Sequence, residues 1–143
     1  MLWRNGIPAG TIASMYENLT SYLTKFDDGE FGSWITDIKD DGVPQIPFVD
    51  YSETVNQFVH EVYAYVNEHR ELQNYSDILE ANGLKWDVES MKNADVSKLD
   101  AECVLALILG AIRAEGFSEG ALLRFFKDGS ITRWLERLKE LDS

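Results

Sequence analysis

The sequence predicts an all-α protein: a compact, single-domain bundle of five to six helices around a buried central helix near 101–115. Three observations carry this expectation. Apolar residues recur at spacings of three and four through most of the 143-residue chain. The run from Cys103 to Ile112 is almost wholly apolar, as a helix enclosed by its own domain must be. Capping and stop residues stand where the apolar stripes begin and end.

In chain order, the first ten residues carry Gly6, Pro8 and Gly10 and are expected to form an irregular arm. Ile12, Met15, Tyr16, Leu19, Tyr22, Leu23 and Phe26 then mark one face of a helix about four turns long, capped by Thr11 or Ser14 and stopped at Asp27-Asp28-Gly29. Phe31, Trp34, Ile35 and Ile38 keep the helical spacing, which predicts a short helix from Ser33 to Asp40. Pro44 and Pro47 push the residues before them away from helix, so 40–47 reads as a turn and extended loop. A brief strand near Gln45 to Val49 has no evident partner.

Ser52 is the expected N-cap of the next helix, whose stripe of Val55, Phe58, Val59, Val62, Tyr63 and Val66 runs towards Arg70. A shorter helix starts near Tyr75 and stops at Asn82-Gly83. The stretch from Leu84 to Met91 is ambiguous, with Trp86 and Val88 expected to bury. Asp100, or else Ser97, caps the central helix, which ends near Gly116. A further helix is expected from Ser118 to Lys127, stopped by Asp128-Gly129. Ser130 is expected to cap the last helix, with Ile131, Trp134, Leu135, Leu138 and Leu141 inward.

Composition narrows the function classes. Twenty-five acids face 13 bases, giving a charge of −12, a field that repels phosphate backbones and disfavours nucleic acid as a partner. Six of the bases lie in residues 100–143. The single cysteine excludes an internal disulfide and suits a reducing compartment. The first residues lack the apolar core of a signal peptide, and no apolar run is long enough to span a membrane. A cytoplasmic protein, not associated with a membrane, is the expectation.

Sites of chemistry are sparse at the sequence level. Asp37 to Gly42 resembles the start of a calcium loop, but Lys39 occupies the third position and Phe48 the place of the closing glutamate. One cysteine and two histidines, His60 and His69, nine residues apart, make no zinc set. Cys103 is expected to be a structural thiol, although a helix N-terminus can activate one. Phosphate loops and the Gly-x-Ser-x-Gly nucleophile turn are missing. No metal, no cofactor and no catalytic motif are therefore expected, and the balance leans away from an enzyme.

The stretch Ile112-Arg113-Ala114-Glu115-Gly116-Phe117-Ser118-Glu119-Gly120, followed by Asp128-Gly129-Ser130-Ile131 and Leu135-Glu136-Arg137-Leu138, resembles the DUF6508 family, a domain of unknown function found mainly in bacteria. The family pattern is Arg-x-Glu-Arg-Phe-x-x-Gly, then Asp-Gly-x-Ile and a leucine-rich end. Trp34, Phe48-Val49-Asp50-Tyr51-Ser52, Val62-Tyr63 and Trp86 extend the resemblance over most of the chain from about residue 26. Gly116 departs from it, standing where the family has a second arginine. The resemblance implies no activity.

Arg113 follows a buried run and must reach water or pair with a carboxylate. Asp50 and Glu115 are the candidate partners; the expected pairing is with Asp50, which would tie the central helix to the segment before the second long helix. Trp34, Asp50, Tyr51, Trp86, Arg113 and Glu115 are thus the candidate residues of a ligand site or a structural clasp. The leading expectation is a module that binds another protein or itself, as a homodimer. The alternative is a small-molecule binder or enzyme with a pocket near Arg113, Trp34, Tyr51 and Trp86. An aromatic-lined pocket converging on Arg113 would favour the alternative, and a broad exposed apolar patch the first.

Overall fold

Helix α6, Ala101–Ala114, is the axis of the fold: every residue from Cys103 to Ile112 is buried. The structure, a computed structural model, describes residues 3–4, 7–8, 15–36 and 46–142. Asp100 starts α6 by accepting the Cys103 amide at 2.9 Å, the capping bond that satisfies an orphan donor of the first turn. Around it pack α4 (Tyr75–Ala81), α7 (Ala121–Lys127) and α8 (Ser130–Leu141).

The all-α expectation holds. The long helix α3 (Glu53–Glu68) begins where Ser52 accepts the Val55 amide and turns Val55, Phe58, Val62 and Val66 inward. It ends two residues short of Arg70, which instead opens a 3-10 turn over Arg70–Asn74. Asn82 follows α4 and Gly83 turns the chain with φ 77. The ambiguous stretch resolves into α5, Val88–Lys92, capped by Asp87. Met91 is buried there, while Trp86 and Val88 are half-buried. No helix is long and apolar enough to cross a membrane among the described residues.

Several expectations are corrected. The helix through Phe26 is two short pieces in its described part, α1 (Glu17–Thr20) and α2 (Tyr22–Lys25), followed by a 3-10 turn at Phe26–Asp28. The Thr24 hydroxyl donates to the Ser21 carbonyl where they meet, the local side-chain bonding with which threonine competes against a continuous ladder. The caps proposed for that helix, Thr11 and Ser14, lie outside the described residues.

The helix expected from Ser33 to Asp40 is in its described part a strand, β3 (Gly32–Ile35). It pairs antiparallel with β4 (Phe48–Tyr51), setting Gly32 opposite Tyr51 and Trp34 opposite Val49. Trp34 and Ile35 are good strand residues, and a short apolar run reads equally as either element until a partner is found. The Ser52 amide donates to the Phe31 carbonyl and lengthens the ladder. Residues 37–45, with the calcium-like segment, lie outside the described residues. So does most of the arm, of which β1 (Trp3–Arg4) pairs with β2 (Ile7–Pro8).

Ser130 does not cap α8. Gly129, at φ 84, takes the cap position, and Ser130 is buried inside the first turn with its amide held by Asp128 at 2.8 Å. Likewise α7 starts at Ala121, after Gly120, and not at Ser118.

The core continues into an aromatic cluster where α2, α3 and α7 meet. Phe26 and Phe31 each lie 5.0 Å from Phe126, and Phe58 lies edge-on to Phe26 at 5.3 Å. Such contacts add specificity to the area they bury. On the far side Trp134 is fully enclosed, 5.5 Å from Phe125. Its indole N–H has no hydrogen-bond partner among the described residues.

Candidate functional site

The turn from α6 into α7 carries the motif residues, and one carboxylate organises it. Glu115, just past the end of α6, accepts three hydrogen bonds: from the Tyr51 hydroxyl at 2.6 Å, the Leu122 amide at 3.0 Å and the Gly120 amide at 3.1 Å. The two amides belong to the start of α7, where donors lack intrahelical partners and a negative charge is favoured. The Tyr51 hydroxyl in turn accepts the Leu123 amide at 2.9 Å. Glu119 reaches the same strand, accepting the Val49 amide at 2.9 Å.

Burial, reinforced by the Glu115 carboxylate, raises the Tyr51 pKa well above its ordinary value. The phenol stays protonated and serves as a fixed donor. Gly120 completes the turn with φ 88. The Trp34 ring lies so close that a Cβ on residue 120 would stand 2.3 Å from its Cζ2. Trp34, Tyr51 and Glu115 therefore meet in one clasp that joins the β3–β4 pair to the end of the buried helix.

The expected pairing of Arg113 with Asp50 is absent: no ion pair or hydrogen bond joins their side chains among the described residues, and both are exposed. Asp50 stands opposite Ser33 on the strand face that alternates with the one holding Tyr51 and Val49. Arg113 is at the last turn of α6, where a short reach meets water. The acid that is bonded here is instead Glu115, and its side-chain partner is the Tyr51 phenol.

Arg113 lines a cavity of about 370 Å³ between α3, the Arg70–Asn74 turn and α6. Four more polar residues line it, Tyr63, Asn67, Gln73 and Tyr75, together with the buried Val66 and Leu109. None of these five polar side chains makes a hydrogen bond or ion pair with the described residues. Sequence reading missed four of them. The i, i+4 spacing of Tyr63 and Asn67 was a signal on the polar side of α3.

Trp86 belongs to a different cleft, of about 310 Å³, between α5 and α7. Its indole donates to the Gly110 carbonyl at 2.9 Å, and Gly110 lets the ring approach α6, since a Cβ there would stand 3.3 Å from Trp86 Cδ1. Trp86 stands edge-on between Tyr75 at 5.3 Å and Phe117 at 5.5 Å. The Tyr75–Trp86 pair thus connects the walls of the two cavities.

Cys103 has no place in either. Burial first, then the carboxylates of Asp100 and Glu102, push its thiol up to about 11, so the helix N-terminus does not activate it.

Comparison with known families adds one match: the model of a family of unknown function, DUF6508, matches residues 12–143. No curated protein and no solved structure matches the chain.

Proposed function

The chain belongs to the DUF6508 family of unknown function, and on that premise we propose that it is a binding protein which takes a small hydroxylated carboxylate into the Arg113 cavity. One observation carries this reading: five polar residues line one space, and none of their side chains bonds to the described residues, which leaves them available to a ligand. Arg113 offers the planar fork that pairs with a carboxylate. Asn67 and Gln73 each offer donors and an acceptor, which suits hydroxyl groups. Tyr63 and Tyr75 add flat faces and a phenol each. A few convergent polar groups over an apolar floor is the usual chemistry of a ligand site.

Arg113, the first residue of the family motif, lines the site, and the rest of the motif supports it. Glu115 and Gly120 fix the turn, and the turn fixes the end of α6 from which Arg113 projects.

Thermal melts with D-glucuronate, D-gluconate and D-glucose test this. The acids raise the melting temperature, glucose does so less, and Arg113→Gln removes the difference. Identical responses from the wild type and Arg113→Gln would overturn the reading.

A second reading, binding of a protein partner or of another copy, is favoured by the β3–β4 pair. Trp34 is 46% exposed, and Phe48 and the preceding Ile46 also present apolar surface to water. Trp34 and Phe48 lie on opposite faces of the pair, so each is a separate aromatic anchor for a partner. Light scattering over a range of concentrations tests the homodimer form. A constant monomer mass removes it.

A further inference from the structure

We infer that the cleft between α5 and α7 is a second ligand site, and that it takes an apolar monocarboxylate, an alkyl or aryl acid whose body lies against Trp86 and Phe117 and whose carboxylate meets Arg124. Phe117 is the starting point. Its ring is 79% exposed, although a phenylalanine gains more than most residues from leaving water. It is not a stray surface residue: it stands edge-on to Trp86 and lines the cleft. A ligand lying in the cleft would cover it.

The floor is apolar and well packed. Met91, Ala121 and Phe125 are buried, and Val88 and Ala114 extend the lining. Such a surface binds an alkyl chain or an aromatic ring by area, without directing it. Direction comes from two charged residues that line the same cleft, Asp87 and Arg124. Asp87 is engaged, since its carboxylate accepts the Ser90 amide at 2.7 Å as the cap of α5. The Arg124 guanidinium makes no hydrogen bond or ion pair with the described residues. The Ser90 amide occupies only one Asp87 oxygen, so the choice of a carboxylate over an amine rests on Arg124, the lining cation whose side chain has no partner among the described residues, and the apolar floor selects it over the hydroxylated acids proposed for the Arg113 cavity.

The experiment uses the full chain and follows the Trp86 indole signal in nitrogen–proton correlation spectra, assigned by its loss in Trp86→Phe. Octanoate is titrated, with octanol and octylamine as comparisons. Octanoate is expected to shift the Trp86 signal saturably. Arg124→Gln weakens octanoate roughly tenfold and leaves octanol unchanged. Phe117→Ala weakens both, and Arg113→Gln changes neither, which separates this site from the first. Residues 117 and 124 are exposed, and melts of each variant confirm that it folds. No shift at millimolar octanoate overturns the inference. So does octylamine binding as tightly as octanoate, or an affinity that Arg124→Gln does not change.

Discussion

The Tyr51 hydroxyl donates to the Glu115 carboxylate at 2.6 Å, joining a strand to the end of the buried helix across 64 positions of sequence. Glu115 also holds two amides of the following turn, so its removal orphans three donors at once. Glu115→Ala is predicted to cost about 2–4 kcal/mol, and Tyr51→Phe about 1–2 kcal/mol, since a lost bond to a charged group costs more than a neutral one. Glu115→Gln falls between, because its amide turns a donor towards donors. Asp50→Ala, which removes a side chain with no partner among the described residues, changes stability by less than about 0.5 kcal/mol. Urea denaturation measures all four. A cost for Asp50→Ala equal to that of Glu115→Ala would restore the Arg113–Asp50 pairing and remove the clasp described above.

The same pair makes stability depend on pH at the alkaline end. The folded chain holds the Tyr51 proton to a higher pH than the unfolded chain, where tyrosine titrates near its ordinary value of 10.0. The stabilisation linked to that difference is complete below this value and is lost as the pH rises above it, because the unfolded state then releases a proton the folded state keeps. Tyr51→Phe, which has no such proton, is predicted to lose less stability than the wild type over the alkaline range. Denaturation midpoints taken across that range decide it. Parallel curves would show that Tyr51 ionises freely in the fold.

Two glycines of the motif are predicted to differ in their tolerance of a side chain. Gly120 has a left-handed backbone and the Trp34 ring against its Cα, so Gly120→Ala meets both backbone strain and a clash. The expected loss is about 1–3 kcal/mol. At Gly116 an added Cβ meets only the Arg113 carbonyl, at 3.4 Å. Arginine, the residue the family pattern has there, is accommodated with a change within about 0.5 kcal/mol. Thermal melts of the two variants compare them directly, and a strongly destabilised Gly116→Arg would show that the turn is tighter than described.

These contrasts show what was legible in the sequence. The apolar run of α6 and the stripe of α3 were readable because a helix repeats its pattern within a few residues, and the caps Ser52 and Asp100 stand directly before them. The strand Gly32–Ile35 was not, because its identity depends on pairing with Phe48–Tyr51, and pairing has no local period. The candidate residues divided for the same reason. Trp34, Tyr51 and Glu115 meet, while Arg113 and Trp86 face separate cavities. Gly129 displaced Ser130 as a cap because Asp128 already holds the Ser130 amide.

Cys103 provides a probe of the core. Its thiol is buried and its pKa pushed up to about 11, so both access and thiolate are scarce near neutral pH. Ellman's reagent is predicted to leave the native protein almost unmodified over minutes and to react with one thiol per chain once the protein is denatured. Rapid reaction of the folded protein would mean that the start of α6 opens far more readily than its packing implies.

The residues before α1 are tied to the end of α8 by one acid. Asp142, immediately after α8, accepts the Met15 and Tyr16 amides at 3.0 Å each, one on either carboxylate oxygen. These amides precede α1, and a carboxylate near the first turn of a helix also favours its dipole. The contact spans 127 positions, so it restrains α1 against α8 where short helices supply little stability alone. Asp142→Ala is predicted to cost about 1–2 kcal/mol and to speed hydrogen exchange at Met15 and Tyr16 more than at residues of α6. Asp142→Asn keeps one acceptor and loses less. If exchange at those two amides is the same in Asp142→Ala as in the wild type, α1 is held by its packing on α8 and α3 and the clamp contributes nothing.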